Sequence, residues 1–559
     1  MKLKVGSTLL ALAMVGGWVG AQTITVALPP ATNINYLQPV TPANYYYVVN
    51  GWAYETMYKP LLWINKHIEI DYSRSIADSV TTPDGQHYFV TLNPKWHWSD
   101  GTPVTSADVI FDFDLINSIS ANNSSAYGGW GIGGIPNEVA SVKALGPYKL
   151  EFTLKAPQNP FWFIYNGIAQ LIPLPKHAWD KYPGDPAKTL AYLQDNGDNL
   201  DFFLKSPVDG PFRIVKSVLN NEFVFEANPY YDGHKPTYKT LIFRYFTTSD
   251  AEYNALRTGQ VDIGYVPFHL SQHLAIPGYR VAKTSTWGIS YIELNFNTQA
   301  CPSCAPLKEL AVRQALQMAI DQPGMIRAFY HGHAVAQYGP VPYEPPTYLE
   351  PILRAGYNPY PYNPAAGKAL LEKNGWHLVN GVMTKGNMRL EFTLDYASGS
   401  TSTQQVAEYF AESASKEGIV IHLAPQPFDT IIANLGAPNK WQMLFYGNGW
   451  VYYPDLYPTG YGLYGTGGGS NTEDYSNPTA DRLIAATHAY FPKNSQSILA
   501  LYKYEDFLAR DLPNLWLPEA EGAWTGAVGA ITEYRDTLTG VVEHANPDGL
   551  ISPQYWSYR

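Results

Sequence analysis

Residues 95–111 read KWHWSDGTPVTSADVIF, and the fold turns on whether this stretch is an active site or scaffold. It holds two aspartates, Asp100 and Asp108, a histidine between tryptophans, and a Gly-Thr-Pro turn. Ser99-Asp100-Gly101 has turn chemistry. Thr105 and Asp108 have capping-box spacing for a helix start. Val109, Phe113 and Ile116 follow at i, i+4 and i+7, the buried stripe of that helix. His97 lies on a strand with no orienting partner near it in the sequence, and acid–base chemistry needs one. The stretch therefore reads as scaffold.

Working outward, TTPDGQHYFVTLNP is a hairpin turning at Asp84-Gly85, and SVKALGPYKLEFTLK is another. GPFRIVKSVLNNEFVFEANPYY pairs two strands across Asn220-Asn221. KTLIFRYF is a strand, followed by a helix capped by Ser249 and Glu252 that stops at Gly259, and then the strand VDIGYV. This β-α-β order predicts a parallel α/β lobe. TITVALPP, with Ile24, Val26 and Leu28 alternating, supplies an early strand. Further on, ISYIELNFN, MRLEFTLDYA and IVIHLAPQ read as strands alternating with helices. One of these helices starts at Asn363-Pro364 and stops at Gly375. The pattern is an α/β lobe at the front, a strand-rich segment inserted in it, and a second α/β lobe behind.

The chain has 559 residues, enough for several domain-sized units. Its net charge is −11 with no basic cluster, which argues against a phosphate-tracking nucleic-acid binder. Tyrosine is abundant, with 43 copies, and suits contact surfaces for mixed polar and apolar ligands. MKLK followed by GSTLLALAMVGGWVG and a small-residue ending at Ala21 reads as a secretory signal over 1–21. No later apolar run reaches membrane-spanning length, so a soluble protein outside the cytoplasm is expected. GTGGGS, residues 465–470, lacks the Lys-Ser/Thr of a phosphate-cradling loop. No cofactor or resident metal is expected.

Cys301 and Cys304 are the two cysteines. A CxxC of this kind is a small-loop disulfide, a free thiol pair, half a zinc site completed by His331 and His333, or a redox pair. A redox pair is disfavoured because the pair lies in a Pro-rich segment, and the disulfide is preferred for a protein outside the cytoplasm.

At this point the order of motifs resembles the family 5 extracellular solute-binding proteins of ABC transporters, which include dipeptide- and oligopeptide-binding proteins. WSDGTPVTSADV is similar to the family signature, with Ser106 where Ala is usual. GPFRIVKSV and ANPYYDGHKP follow, with Asp232 where Trp is usual, and then ALRTGQVDIG, YIELNFN, LKELAVRQALQMAID, YNPAAGKALLEKNGW and DYSNPTADRLI in the family's order. The resemblance implies a two-lobed α/β clamshell with an additional inserted domain. By family order the first lobe is 22–56, 190–272 and 515–559, the inserted domain 57–189, and the second lobe 273–514.

The resemblance also implies a receptor, not an enzyme, that captures peptides between the lobes and delivers them to membrane permease subunits. It would act as a monomer on the periplasmic or extracellular face. The alternatives are an oligosaccharide or other non-peptide solute and, remotely, a secreted hydrolase. In similar peptide binders an aspartate three residues after a tryptophan pairs with the peptide's amino group. Counting from Trp450 gives Tyr453, so either Asp455 takes over that pairing through a shifted loop or the ligand has no free amine there. Trp450, Tyr452, Tyr453 and Asp455 are the expected ligand contacts in that loop. Asn33, Tyr45 and Tyr46 are expected from the loop after the first strand, and Trp287 near an interlobe crossing.

Overall fold

The computed structural model describes residues 23–559 apart from 30–31, 43–44, 46–47, 122–132, 274, 283–286, 448, 453–454, 521–529 and 548–551. The expected signal segment, Tyr46 and Tyr453 lie outside the described residues.

Two sheets organise the lobes. The first has seven strands in the order Tyr279–Val281, Ala530–Arg535, Ile263–Pro267, Thr23–Ala27, Thr240–Arg244, Glu222–Ala227, Phe212–Val218. Thr23–Ala27 runs parallel to both of its neighbours, as the β-α-β reading predicts. Ile24, Val26 and Ala27 are all buried, because the sheet is covered on both faces. The second sheet runs Val420–Gln426, Glu391–Ala397, Met443–Phe445, Gly288–Leu294, Gly449–Val451, and Asn514–Leu517 also pairs with Gly288–Leu294.

Sheet membership moves two expected boundaries. Tyr279–Val281 pairs with Ala530–Arg535 in the first sheet, so the first crossing to the second lobe falls after 281, not after 272. Asn514–Leu517 belongs to the second sheet, so the return crossing falls after 517, not at 515. Both are short strands whose partners lie more than 200 residues away, and no local pattern says which sheet they complete.

The inserted domain is a four-stranded antiparallel sheet, Ala77–Thr81, His87–Leu92, Lys149–Leu154, Val139–Gly146, with the helix Ser106–Ser120 packed beside it. The Thr105 amide donates to the Asp108 carboxylate at 2.7 Å, closing the helix start. Asp108 also accepts from the Lys176 amide, and Ser106 donates to the Gly146 carbonyl at 2.8 Å. Asp100 pairs with His177 at 2.7 Å. His97 does have an orienting partner: its amide and ring meet Asp232, at 2.8 and 3.2 Å. Asp232 is 135 residues away, which is why the sequence hid it. The opening stretch is a joint between the inserted domain and the first lobe.

One cap differs from expectation. Thr248, not Ser249, caps the helix Ser249–Arg257, accepting from the Ala251 amide at 3.1 Å. Glu252 turns inward and accepts from the Tyr265 amide. Cys301 and Cys304 are joined in a disulfide. A ring this small removes little entropy from the unfolded chain, so Cys301→Ser with Cys304→Ser should cost about 2 kcal/mol at most. Chemical denaturation with and without reductant checks this.

Candidate functional site

A crevice of about 610 Å3, counting its open mouth, lies where the three parts of the chain meet. Glu55, Pro211, Tyr231 and Gln554 line it from the first lobe, Trp63 and Tyr165 from the inserted domain, and Leu456 from the second lobe. Lys59 lines it at the junction of the first lobe and the insertion.

Local chemistry sets this junction. The helix Val48–Met57 stops just before Lys59-Pro60, since the residue before proline is driven out of helical geometry. The Gly210 amide donates to the Met57 carbonyl at 2.7 Å. A Cβ at Gly210 would lie 2.4 Å from the Met57 carbonyl carbon, so only glycine permits this approach. Asp209 is thereby placed to accept from the Lys59 amide at 3.0 Å.

Lys59 is a nearly buried cation, 4% exposed. Its ammonium donates to the Arg74 carbonyl and lies 4.5 Å from the Trp96 ring centre. Among the described residues no carboxylate is within ion-pair distance of it. Burial lowers the Lys59 pKa and raises that of Asp209, and each group opposes the other's shift. The second carboxyl oxygen of Asp209 has no hydrogen-bond partner among the described residues.

The rim beside Trp63 is a stack. The Arg74 guanidinium lies 4.6 Å from the Trp63 ring and 4.2 Å from Tyr555. Tyr555 is itself stacked between His234 and His544, at 4.7 and 4.2 Å. Burial, then the nearby guanidinium, pulls the His544 pKa down.

The expected contact residues are placed elsewhere. Asn33 bonds through its side chain to Asn220 at 2.7 Å, bracing the turn between two sheet strands. Tyr45 stacks on Tyr36 at 4.8 Å. Trp287 is buried edge-on to Tyr348, and its carbonyl accepts from the Tyr452 amide. Tyr452 is buried and donates its hydroxyl to the Pro340 carbonyl. Trp450 is half-buried in the strand Gly449–Val451.

Asp455 lies away from the crevice. It is buried, its carboxyl accepts from the Asn166 side-chain amide, and burial raises its pKa well above the carboxylate range. The Asp455 carboxyl is committed to the Asn166 side chain and does not face the crevice lining. None of these residues lines the crevice; of that loop, Leu456 does. Sequence reading missed Lys59, although a lone cation in the run YKPLLW was a visible signal. Tyr231, in the motif ANPYYDGHKP, lines the crevice although it is not among the expected contacts.

Comparison with known proteins fits this architecture. Residues 71–471 match the family model described as bacterial extracellular solute-binding proteins, family 5 Middle. Protein XP55 of Streptomyces lividans is 26% identical over 436 residues, 76% of this chain and 72% of that one. A putative ABC transporter peptide-binding protein of Brucella ovis is 27% identical over 330 residues, 58% of this chain and 56% of that one. The match therefore spans little more than half of the Brucella protein.

Among solved structures, the oligopeptide-binding protein AppA of Bacillus subtilis, in complex with a nonapeptide, is similar with a TM-score of 0.75 and 19% identity, over 97% of this chain and 99% of that one. NikA of Brucella suis, in complex with Fe(III)-EDTA, gives 0.75 and 18%, over 96% and 100%. The two-lobed fold is shared. No helix among the described residues is long and apolar enough to cross a membrane.

Proposed function

Because the chain belongs to the family 5 bacterial extracellular solute-binding proteins, we propose that it captures peptides in the crevice between its lobes and hands them to the permease of an ABC importer. The family points to a binding component of transport. On this reading residues 1–21 direct export, and the receptor acts as a monomer outside the cytoplasm. The observation that carries the proposal is the lining of the crevice. Its walls come from both lobes and the insertion, so a molecule seated there ties all three together. Binding energy then goes into closure, which a membrane partner can distinguish from the open form.

The crevice is narrow, so a peptide enters only when the lobes part. Lys59 supplies positive charge in the wall, while Trp63, Tyr165 and Tyr231 supply apolar faces with polar tips. The peptide group matched by Lys59 is the terminal carboxylate. A second reading, a non-peptide anion such as a metal chelate, is favoured by the same lysine and by the Fe(III)-EDTA bound to a similar fold.

A thermal-shift screen of refolded, ligand-stripped protein tests this. The panel holds di- to pentapeptides, oligosaccharides and metal chelates, since a ligand of the folded state raises the melting temperature. Stabilisation by peptides, lost on amidating their C-terminus, is the expected result. Lys59→Met should weaken binding about tenfold, ~1.4 kcal/mol, while Asp455→Asn leaves it nearly unchanged. Stabilisation by chelates or sugars alone would overturn the peptide reading.

A further inference from the structure

The insertion, residues 57–189, enters and leaves through the first lobe. No chain connection joins it to the second lobe, yet the two are in close contact. Asn166 is the centre of that contact. Its side-chain NH2 donates to the Asp455 carboxyl and to the Tyr457 carbonyl, at 2.8 Å for the latter. Its side-chain oxygen accepts from the Tyr457 amide at 2.6 Å. This buried amide is thus committed to one loop of the second lobe.

A second point of contact lies beside it. The Asn159 amide donates to the His488 carbonyl at 2.7 Å, and its side chain donates to the Thr487 carbonyl at 2.8 Å. Trp162 stacks flat on His488, with ring centres 4.1 Å apart and planes 13° apart. Within the second lobe, the His488 ring meets the Thr459 hydroxyl at 3.1 Å, so the two contact segments are braced against each other. Leu456, between Asp455 and Tyr457, lines the crevice.

We propose that Asn166, Asn159 and Trp162 form a latch that grips the 455–459 and 487–489 segments of the second lobe and must release for the crevice to open. The physical reason is connectivity. When the second lobe swings on its two crossings, the insertion stays with the first lobe, and these contacts lie across the line of separation. The hydrogen bonds are directional and reversible, and water can take over each donor and acceptor when they part, while Phe161 stacked on Tyr457 at 6.0 Å adds a ring contact across the same line. Because Leu456 belongs to the gripped loop, a ligand touching it holds the latch shut.

Hydrogen exchange on the full mature chain without ligand tests the latch. The Tyr457 amide bonds to Asn166, and the Asn159 amide bonds to His488, which Asn166 does not touch. Asn166→Ala should speed exchange at both amides, by about tenfold, because the surfaces separate as bodies. Asp455→Asn keeps an acceptor for Asn166 and should retain wild-type protection. Faster exchange at Tyr457 alone would overturn the proposal and reduce the contact to local packing. If Asn166→Ala does not fold, His488→Ala is read at the Tyr457 amide with the same two outcomes. The inference rests on the receptor reading only in its ligand arm, in which a stabilising peptide slows exchange at both amides. Failure of every peptide to do so would count against the ligand reading and leave the apo result standing.

Discussion

Glu417→Gln is expected to make the protein more stable than wild type at pH 8, while leaving it close to wild type at pH 4. Glu417 follows the helix Thr401–Ser415 and is fully buried. Neither carboxyl oxygen has a hydrogen-bond partner among the described residues. The carboxyl is pressed against Gly367 so closely that a Cβ there would lie 2.4 Å from its Oε2. Burial with no compensating cation pushes its pKa up to about 9.

The sign follows from linkage. A group whose folded pKa is raised contributes its full stability below the unfolded value, near 4.3 for glutamate, and loses it as pH rises toward the folded value. The cost at pH 7 is about 4 kcal/mol as an upper figure, at 1.36 kcal/mol per pH unit. Glutamine keeps the shape and removes the titration. Denaturation curves for both proteins at pH 4, 6 and 8 decide it, and parallel pH profiles would sink the assignment. Asp112, Glu252, Glu473 and Glu505 are buried with raised pKa values and no ion-pair partner among the described residues. The contribution of these groups to stability should therefore fall as pH rises above the ordinary carboxylate range.

Arg313→Leu should destabilise the second lobe by about 3–5 kcal/mol, the cost of breaking a buried charged network from one side. The guanidinium, 5% exposed, donates to the carbonyls of Leu307 and Lys308, both at 2.9 Å, and twice to that of Asp511, at 3.0 and 2.8 Å. It also pairs with the Asp511 carboxylate at 3.6 Å and lies 5.5 Å from the Phe296 ring. One planar fork thus joins the turn Pro302–Lys308 to the end of the helix Asn494–Asp511. Leucine strands those carbonyls out of water. Arg313→Lys should recover little, because an ammonium cannot span both sides of the fork. Calorimetric melting of the three proteins checks the order wild type, lysine, leucine.

Much of the architecture was legible in the chain. Thr105 and Asp108, Asn363-Pro364, Asp84-Gly85 and Asn220-Asn221 are local signals, decided by backbone chemistry within a few residues, and the structure uses each. The order of longer motifs, from WSDGTPVTSADV to DYSNPTADRLI, carried the resemblance to family 5, which the family match supports. The assignment of Tyr279–Val281 and Asn514–Leu517 was not legible, because strand pairing is a choice among distant partners.

The site divides along the same line. Residue type and loop position made Asp455 a reasonable anchor, since the sequence records a carboxylate but not whether water reaches it. Asn166, 289 residues earlier, decides that question by sealing the carboxyl. Lys59 likewise becomes a wall of the crevice because Asp209, Arg74 and Trp96 converge on it from distant segments. By itself the sequence determined most of the elements and caps and the family, because those depend on neighbours along the chain. Only the tertiary structure decided which charges are buried and what each one faces, because desolvation depends on neighbours in space.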